Sequence, residues 1–129
     1  MTPKTEPGST PTILADCPGH PNCVSSQAQR ASRRVEPFSC IGSCRETLQR
    51  LREVLQSTPG ASIVESTDSY LRVEFTTMIF GFVDDLELLA DNKEKTVHVR
   101  SASRTGTWDL GANRRRVERL RRHLARALP

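Results

Sequence analysis

Aromatic residues are scarce in this sequence: they make up 5% of its 129 residues, and it has one Trp and one Tyr. Lysine is also rare, with three copies beside sixteen arginines. Domains that bind single-stranded nucleic acid stack the bases on aromatic side chains, and this chain offers few of them. Because arginine is the preferred cation throughout the chain and no DNA- or RNA-binding motif accompanies it, nucleic-acid binding is disfavoured.

Long apolar runs are missing near the start of the chain, where the longest is Ile13–Ala15. A segment that crosses a bilayer needs roughly 18 apolar residues or more, and no signal peptide is recognisable either. We therefore expect a soluble, cytoplasmic protein without a transmembrane segment. Cysteines are usually reduced in that compartment, so the four cysteines are expected to be thiols rather than disulfides.

Known catalytic signatures are absent too. The sequence contains neither a Walker loop nor a nucleophile elbow. His98 and His123 stand alone, one on a predicted strand and one on a predicted helix, so neither is a convincing general base. The sequence predicts no catalytic residue, no metal and no cofactor.

Charges of opposite sign are concentrated in separate segments. From Arg100 onward there are nine arginines but only two acidic residues, Asp109 and Glu118. The stretch 62–94 is acidic by contrast. In a domain this small the two segments are expected to neutralise each other, which leaves the net charge of +4 as a mildly cationic surface.

The composition divides the chain into a leader and one domain. Residues 1–15 are rich in Pro, Ser and Thr and predict a disordered leader. Residues 16–129 then form a single α+β domain, which begins with an extended arm over residues 16–42.

Periodic patterns predict helix, four strands and helix. The first helix covers about 43–57, where Ser43 can cap it and Glu46 can complete a capping box. The four strands lie between about 61 and 102, and their short connections favour an antiparallel meander. Both helices are expected to pack on the apolar face of this sheet.

Alternation assigns faces to the last predicted strand. Val97 and Val99 are expected to face the core, whereas His98 and Arg100 are expected to face outward. In the strand before it, Gly81 predicts a bulge or a point of close approach.

The final helix is predicted from about 113 to 128. Because an α-helix turns by 100° per residue, its polar residues fall into two groups on different sides of the helix. The inner group, near the apolar stripe, comprises Asn113, Arg114, Arg116 and Arg121. The outer group comprises Arg115, Arg119, Arg122 and Arg126. We interpret the outer group as a solvated face, with weak nucleic-acid binding as the alternative.

The inner group requires an anion nearby, because a cation at the positive end of the helix dipole is unfavourable. In one interpretation the anions are internal, namely Asp109 or the carboxylates Asp84, Asp85 and Glu87 of the acidic strand. In the other, helix-start amides and guanidinium groups hold a phosphate, sulfate or carboxylate. The two interpretations are compatible.

Asp84 and Asp85 are adjacent, so in a regular strand they point to opposite faces and cannot form a catalytic pair. Asp84 is expected to point inward, where it needs a partner such as Arg104, Asn113 or a loop amide. It is either structural or part of a ligand site.

The pattern as a whole favours a non-catalytic binding or accessory module with an arginine-lined pocket for a small anion or an anionic headgroup. The predicted ligand-binding residues are Asn22, Ser25, Ser26, Asp84, Arg100, Ser101, Ser103, Arg104, Asp109, Asn113, Arg114 and Arg116. The alternative is a hydrolase or transferase that uses the same polar cluster, with Asp84 or Cys23 as the reacting group.

The cysteines could be drawn as a zinc site formed by Cys17, Cys23, Cys40 and Cys44 with His20. The first spacing is longer than zinc sites usually have, so this interpretation is not favoured. For Cys17 and Cys23 a disulfide or a pair of buried thiols is preferred.

Four motifs resemble a known family: CPGHPNCVSSQA, YLRVEF, FGFVDDLEL and VRSASRTGTWDLGANRRRVERLR. Together they cover roughly Cys17 to Leu124 and are similar to the domain-of-unknown-function family 1499. The resemblance implies no activity, and it implies that relatives often carry an export signal or lie in chloroplast precursors. Cys17 and Cys23 match the family pattern, whereas Cys40 and Cys44 do not.

Overall fold

The computed structural model describes residues 12–18, 21–77, 81–106, 109 and 111–127. The fold is α+β, with one antiparallel sheet and two helices that pack against each other and against the sheet. Neither helix in the described part of the chain combines the length and the apolar character that a membrane crossing requires.

The sheet contains six strands, two of which form one edge. In chain order the strands are β1 (Cys23–Ser25), β2 (Phe38–Ser39), β3 (Ala61–Ser66), β4 (Tyr70–Thr76), β5 (Val83–Asp91) and β6 (Thr96–Ser103). The helices are α1 (Cys44–Gln56) and α2 (Ala112–Ala127), and a 3-10 turn covers Ala31–Arg33. The strand order is β1-β6-β5-β4-β3, and β2 pairs with the other half of β6.

The predicted four-stranded meander is present as β3 to β6, but the count of four was too low. The two additional strands come from the arm. Cys23 of β1 pairs with Ala102, and Phe38 of β2 pairs with Val97. Strands of two or three residues are too short to show an alternating pattern, which is why sequence periodicity does not reveal them.

The first helix begins as its capping residues predict. Ser43 is the N-cap, and its Oγ accepts a hydrogen bond of 3.0 Å from the backbone N–H of Glu46. Leu48, Leu51 and Leu55 are buried on the face toward the sheet. The helix therefore owes its position to an apolar stripe and its first turn to a cap.

The core lies between this face of the sheet and both helices. From α2 it receives Val117, Leu120 and Leu124, while the predicted Leu128 lies outside the described residues. The inward-facing side chains of the three central strands are Leu71, Val73, Leu86, Leu88, Val97 and Val99. Burial of a side chain of this size contributes about 1.5–3 kcal/mol, so this layer dominates the stability of the fold.

The opposite face of the sheet departs from the prediction at one end. His98 and Arg100 do point away from the helices, but both are buried rather than exposed. β1 lies beside β6 at this point, and Leu14 packs on the same face against Tyr70 and Leu89. Cover from the arm, a contact between distant segments, removes these polar side chains from solvent.

Gly81 is a turn residue rather than a bulge or a point of close approach. It precedes β5, adopts a positive φ of 67°, and donates its N–H to the carbonyl of Thr77. The pairing of β4 with β5 runs without a shift from Thr76 and Val83 onward. Apart from its chain neighbours, no described residue has a heavy atom within 4 Å of the position a Cβ would take. The glycine is needed there for its backbone conformation.

All four cysteines form disulfides, so the general expectation of thiols was wrong, and so was the zinc alternative. For Cys17 and Cys23, the disulfide that the sequence analysis left open beside a pair of thiols is confirmed. Cys17 pairs with Cys23 and Cys40 pairs with Cys44, with Cα–Cα distances of 5.5 and 4.9 Å. The first bridge ties the start of the arm to β1, and the second ties the region after β2 to the start of α1. Disulfides are typical of oxidising compartments, and the cytoplasmic location stays a prediction.

We expect Leu14→Ala to destabilise the protein by about 2 kcal/mol, the low end of the range for buried leucine, because it packs in a cluster of only three side chains. Its neighbour Ile13 is a matched control, since its side chain is 70% exposed whereas Leu14 is 4% exposed. Ile13→Ala should change the free energy of unfolding by less than about 0.5 kcal/mol. Urea denaturation of both variants measures this, and equal effects would contradict the packing of Leu14 on the sheet.

Candidate functional site

Asn113 is the second residue of α2 and is fully buried, and its side-chain oxygen accepts hydrogen bonds. Its Oδ1 accepts hydrogen bonds from the Ser101 hydroxyl at 2.7 Å and from the Arg116 guanidinium at 2.7 Å. Arg116 also donates to the Ser101 Oγ at 3.1 Å. The three side chains therefore form a closed triangle between α2 and β6.

The nitrogen of the same amide faces three acceptors. Nδ2 of Asn113 lies 2.7 Å from Oδ2 of Asp109, 2.9 Å from Oγ of Ser103 and 3.1 Å from the carbonyl oxygen of Asn22. Asn22 in turn donates to the carbonyl of Gly106 at 2.6 Å. A single buried amide thus joins α2, β6, the loop that follows β6 and the arm.

Asp84 reaches this group through Arg116. Its Oδ2 accepts from the guanidinium at 2.6 Å, and only 6% of the residue is exposed. The guanidinium also lies 4.6 Å from the centre of the Phe75 ring. The inward orientation of Asp84 matches the prediction, but its partner is Arg116 rather than Arg104 or Asn113.

These polar residues form what we call the Asn113 cluster. Its members are Asn22, Asp84, Ser101, Ser103, Asp109, Asn113 and Arg116. All seven are among the predicted ligand-binding residues, yet the hydrogen bonds and the ion pair run between the members themselves. The internal interpretation of the inner arginines therefore accounts for Arg116.

Asp109 caps the start of α2. Its Oδ1 accepts from the backbone N–H of Gly111 at 2.8 Å, and its Oδ2 accepts from the N–H of Asn113 at 3.1 Å. Burial by itself raises the pKa of the Asp109 carboxyl, but the hydrogen bonds from Asn113 and Gly111 outweigh it and lower the pKa below its usual value. The carboxylate therefore stays ionised and offsets the positive end of the helix.

Arg104 lies on the other face of the sheet. It donates to Asp85 at 2.7 Å and to Glu74 at 2.6 Å, and these hydrogen bonds raise the pKa of the guanidinium further above its usual value. Asp85 also lies 3.5 Å from Arg72. Adjacent Asp84 and Asp85 thus face opposite sides, as the strand pattern predicts, and the predicted pocket residue Arg104 belongs to a separate ion-pair network.

Arg100 and Ser25 also lie on that face. The Arg100 guanidinium is buried and lies 3.6 Å from Glu87, and its Nε makes no hydrogen bond within the described part of the chain. Glu87 accepts a hydrogen bond of 2.7 Å from the Tyr70 hydroxyl. Burial and the neighbouring Glu87 raise the pKa of Tyr70 well above its usual value. Ser25 accepts a hydrogen bond from the N–H of Gln27. Arg100 and Ser25 were both predicted to bind the ligand, and neither contacts the Asn113 cluster.

Ser26 is separated from the cluster as well. Its hydroxyl lies 3.0 Å from Nδ1 of His98, and it accepts from the N–H of Val99 at 2.9 Å. The predicted site therefore divides between the two faces of the sheet, because Arg100 of β6 alternates with Ser101 and Ser103, which contact Asn113.

Two inner arginines of α2 bind the arm instead of the acidic strand. Arg114 donates to the carbonyl oxygens of Ser32 at 3.0 Å and Arg34 at 3.1 Å, and Arg121 donates to the carbonyl of Glu36 at 2.6 Å. Carbonyl groups of an irregular segment are suitable partners for guanidinium donors. The exposed arginines of α2 include the predicted outer group, Arg115, Arg119, Arg122 and Arg126.

A cleft of about 150 Å³ lies between the arm and the first turn of α2. It is lined by the predicted residues Asp109 and Arg114 together with Cys23, Arg33 and Gly111, among others. Arg33 comes from the 3-10 turn, and sequence analysis missed it. Its signal was the run RASRR at residues 30–34, a second basic segment whose position relative to α2 depends on the fold.

The groups proposed for an enzyme are engaged in other ways. Cys23 is in a disulfide and has no thiol to act as a nucleophile. Asp84, the other group proposed, is paired with Arg116. Trp108, the single tryptophan of the chain, lies outside the described residues. Among the described residues, three with the geometry of metal ligands, Asp91, Glu94 and His98, gather at the other end of β6.

Comparison with known proteins connects the chain with one family. The model of a family described as a protein of unknown function, DUF1499, matches residues 13–124. No curated protein and no solved structure matches the chain.

We expect Arg116→Ala to destabilise the protein by about 3 kcal/mol, because it leaves the buried Asp84 carboxylate without its partner. Arg122→Ala, at an exposed position of the same helix, is the control and should change stability by less than about 0.5 kcal/mol. Chemical denaturation of the two variants tests the division of the α2 arginines into an inner and an outer group. Similar small effects would show that the ion pair is not important for docking α2.

Asp109→Ala should cost about 1 kcal/mol at neutral pH, since it removes the cap of α2. The folded-state pKa of Asp109 is lowered, so its contribution is present above its unfolded pKa of about 3.9 and is lost as the pH falls through the lower folded value. The difference in stability between wild type and variant should therefore shrink below about pH 4. Denaturation curves at pH 7, 4 and 2.5 measure it, and a constant difference would argue against an ionised cap.

Proposed function

This chain belongs to the DUF1499 family of proteins of unknown function, and we propose that it is a non-catalytic binding module that takes up a small anion in the cleft between the arm and α2. The observation that carries the proposal is that Arg33 and Arg114, from separate segments of the chain, line one cleft at the positive end of a helix. Phosphate, sulfate and carboxylate groups share the chemistry that such a cleft recognises.

The balance of charge in the cleft supports this proposal. The two arginines are accompanied by one carboxylate, Asp109, and the first turn of α2 contains no acidic residue. Both oxygens of Asp109 are occupied by helix-start donors, Gly111 and Asn113. The net charge of the cleft is therefore positive, and the helix dipole adds to it.

The Asn113 cluster has a supporting role in this proposal. It fixes the start of α2 against the sheet, and a fixed arrangement of donors binds a ligand at a smaller entropic cost. Arg116 is already paired with Asp84, so the anion is not expected to bind there. The proposed ligand residues are therefore Arg33 and Arg114, in a cleft that Gly111 also lines.

We expect millimolar sulfate or phosphate to raise the melting temperature above that in chloride at equal ionic strength. An anion at ten times its Kd adds about 1.4 kcal/mol to stability, about 5 °C in a domain of this size. Arg114→Gln should abolish most of this shift, because it removes one of the two guanidinium groups in the cleft. Differential scanning fluorimetry over a series of anion concentrations measures it.

Arg122→Gln is the matched control, since it removes the same charge from an exposed position of α2 outside this cleft. Arg114→Gln also loses hydrogen bonds to the arm, so the quantity compared is the anion-induced shift of each variant and not its melting temperature. Sulfate stabilises many proteins without binding to a site, and that effect would be equal in both variants. Equal shifts in the two variants would contradict the proposal.

A further inference from the structure

Three side chains with metal-binding groups converge at the hairpin between β5 and β6. Asp91 ends β5, Glu94 lies in the turn and His98 lies in β6. Nε2 of His98 is 3.7 Å from Oδ2 of Asp91 and 3.7 Å from Oε2 of Glu94. Both distances are longer than a hydrogen bond, and they approach the roughly 3.4 Å that separates neighbouring ligands of a tetrahedral metal bound at about 2.1 Å.

The imidazole is buried and aimed at the carboxylates. The side chain of His98 is only 9% exposed, and Nε2 makes no hydrogen bond in the part of the chain that the structure describes. The other ring nitrogen, Nδ1, lies 3.0 Å from the Ser26 hydroxyl, which holds the ring in this orientation. A ligating histidine is commonly held through its second nitrogen in this way.

Ser26 can also accept a hydrogen bond from the His98 tautomer that metal binding requires, in which Nδ1 carries the proton. Its Oγ accepts from the N–H of Val99 at 2.9 Å and lies 3.4 Å from the carbonyl oxygen of the same residue. The hydroxyl can therefore donate to that carbonyl while it accepts the Nδ1–H of His98. The lone pair of Nε2 is then available to a cation.

The carboxylates are arranged so that one oxygen of each is available. Oδ1 of Asp91 accepts from the N–H groups of Lys93 and Glu94, and these bonds leave Oδ2 facing His98. The Glu94 side chain is 66% exposed and can adjust its position. Within the described residues, neither carboxylate forms an ion pair with lysine or arginine. Among the described residues, the two carboxylates thus face His98 and no guanidinium or ammonium group.

We propose that Asp91, Glu94 and His98 bind a divalent transition-metal cation such as Zn²⁺. An imidazole ligand favours Zn²⁺ and its neighbours in the first transition row over Mg²⁺ and Ca²⁺, which prefer oxygen. Three protein ligands leave at least one coordination position for water. The cation fixes the hairpin turn, which contacts the region around the second disulfide through a hydrogen bond from the N–H of Cys40 to the carbonyl of Lys95.

The test is calorimetric titration of the full-length, untagged and oxidised protein with Zn²⁺ after treatment with a chelator. We expect one Zn²⁺ per chain, little competition from millimolar Mg²⁺, and a higher melting temperature in the presence of Zn²⁺. Glu94→Gln should weaken Zn²⁺ binding at least about tenfold, since loss of even a group that orients a ligand has effects of this size. His98→Gln should weaken it further.

The controls remove the same chemical groups elsewhere on the surface. They are His123→Gln on α2 and Glu53→Gln on α1, both at exposed positions, and neither should change Zn²⁺ affinity. Because Glu94 is exposed, its variant remains informative even if the buried His98 is needed for folding. Absence of Zn²⁺ binding by the wild type, or equal affinities of Glu94→Gln and Glu53→Gln, would overturn the proposal.

Discussion

The ion pair between Arg116 and Asp84 holds the first turns of α2 against the sheet, and the surrounding polar side chains are arranged around it. A carboxylate buried without a partner would cost several kcal/mol, so the position of the helix and the orientation of Asp84 depend on each other. Asn113 and Ser101 accept two further hydrogen bonds from the same guanidinium. The cleft proposed for an anion lies beside this rigid junction.

The pleat of the sheet separates two polar systems that are close together in the sequence. On the helix face Asp84 joins the Asn113 cluster, while on the other face Asp85 pairs with Arg104 and Arg72. Each network neutralises its own arginines. Arg116, Arg104 and Arg72 therefore hold the sheet and α2 together, whereas the cleft proposed for an anion uses Arg33 and Arg114.

The arm contributes to both proposed sites. Arg33 in its 3-10 turn lines the cleft at α2, and Ser26, just after β1, positions the imidazole of His98 at the other end of β6. Two disulfides hold the arm, one at each of its ends. Residues from an irregular segment can serve binding sites only if that segment is fixed, and here pairing with β6 and the two bridges fix it.

Local patterns in the sequence were sufficient to predict the elements whose apolar or polar residues recur with a clear period. The cap at Ser43, the meander of β3 to β6, the opposite faces of Asp84 and Asp85, and the exposure of the outer arginines of α2 all follow from spacings of a few residues. The pairing of the arm with β6, the disulfides and the cover over His98 were decided only by the tertiary structure. Each of these depends on contacts between segments distant along the chain or on which groups meet in space, and composition and periodicity do not carry that information.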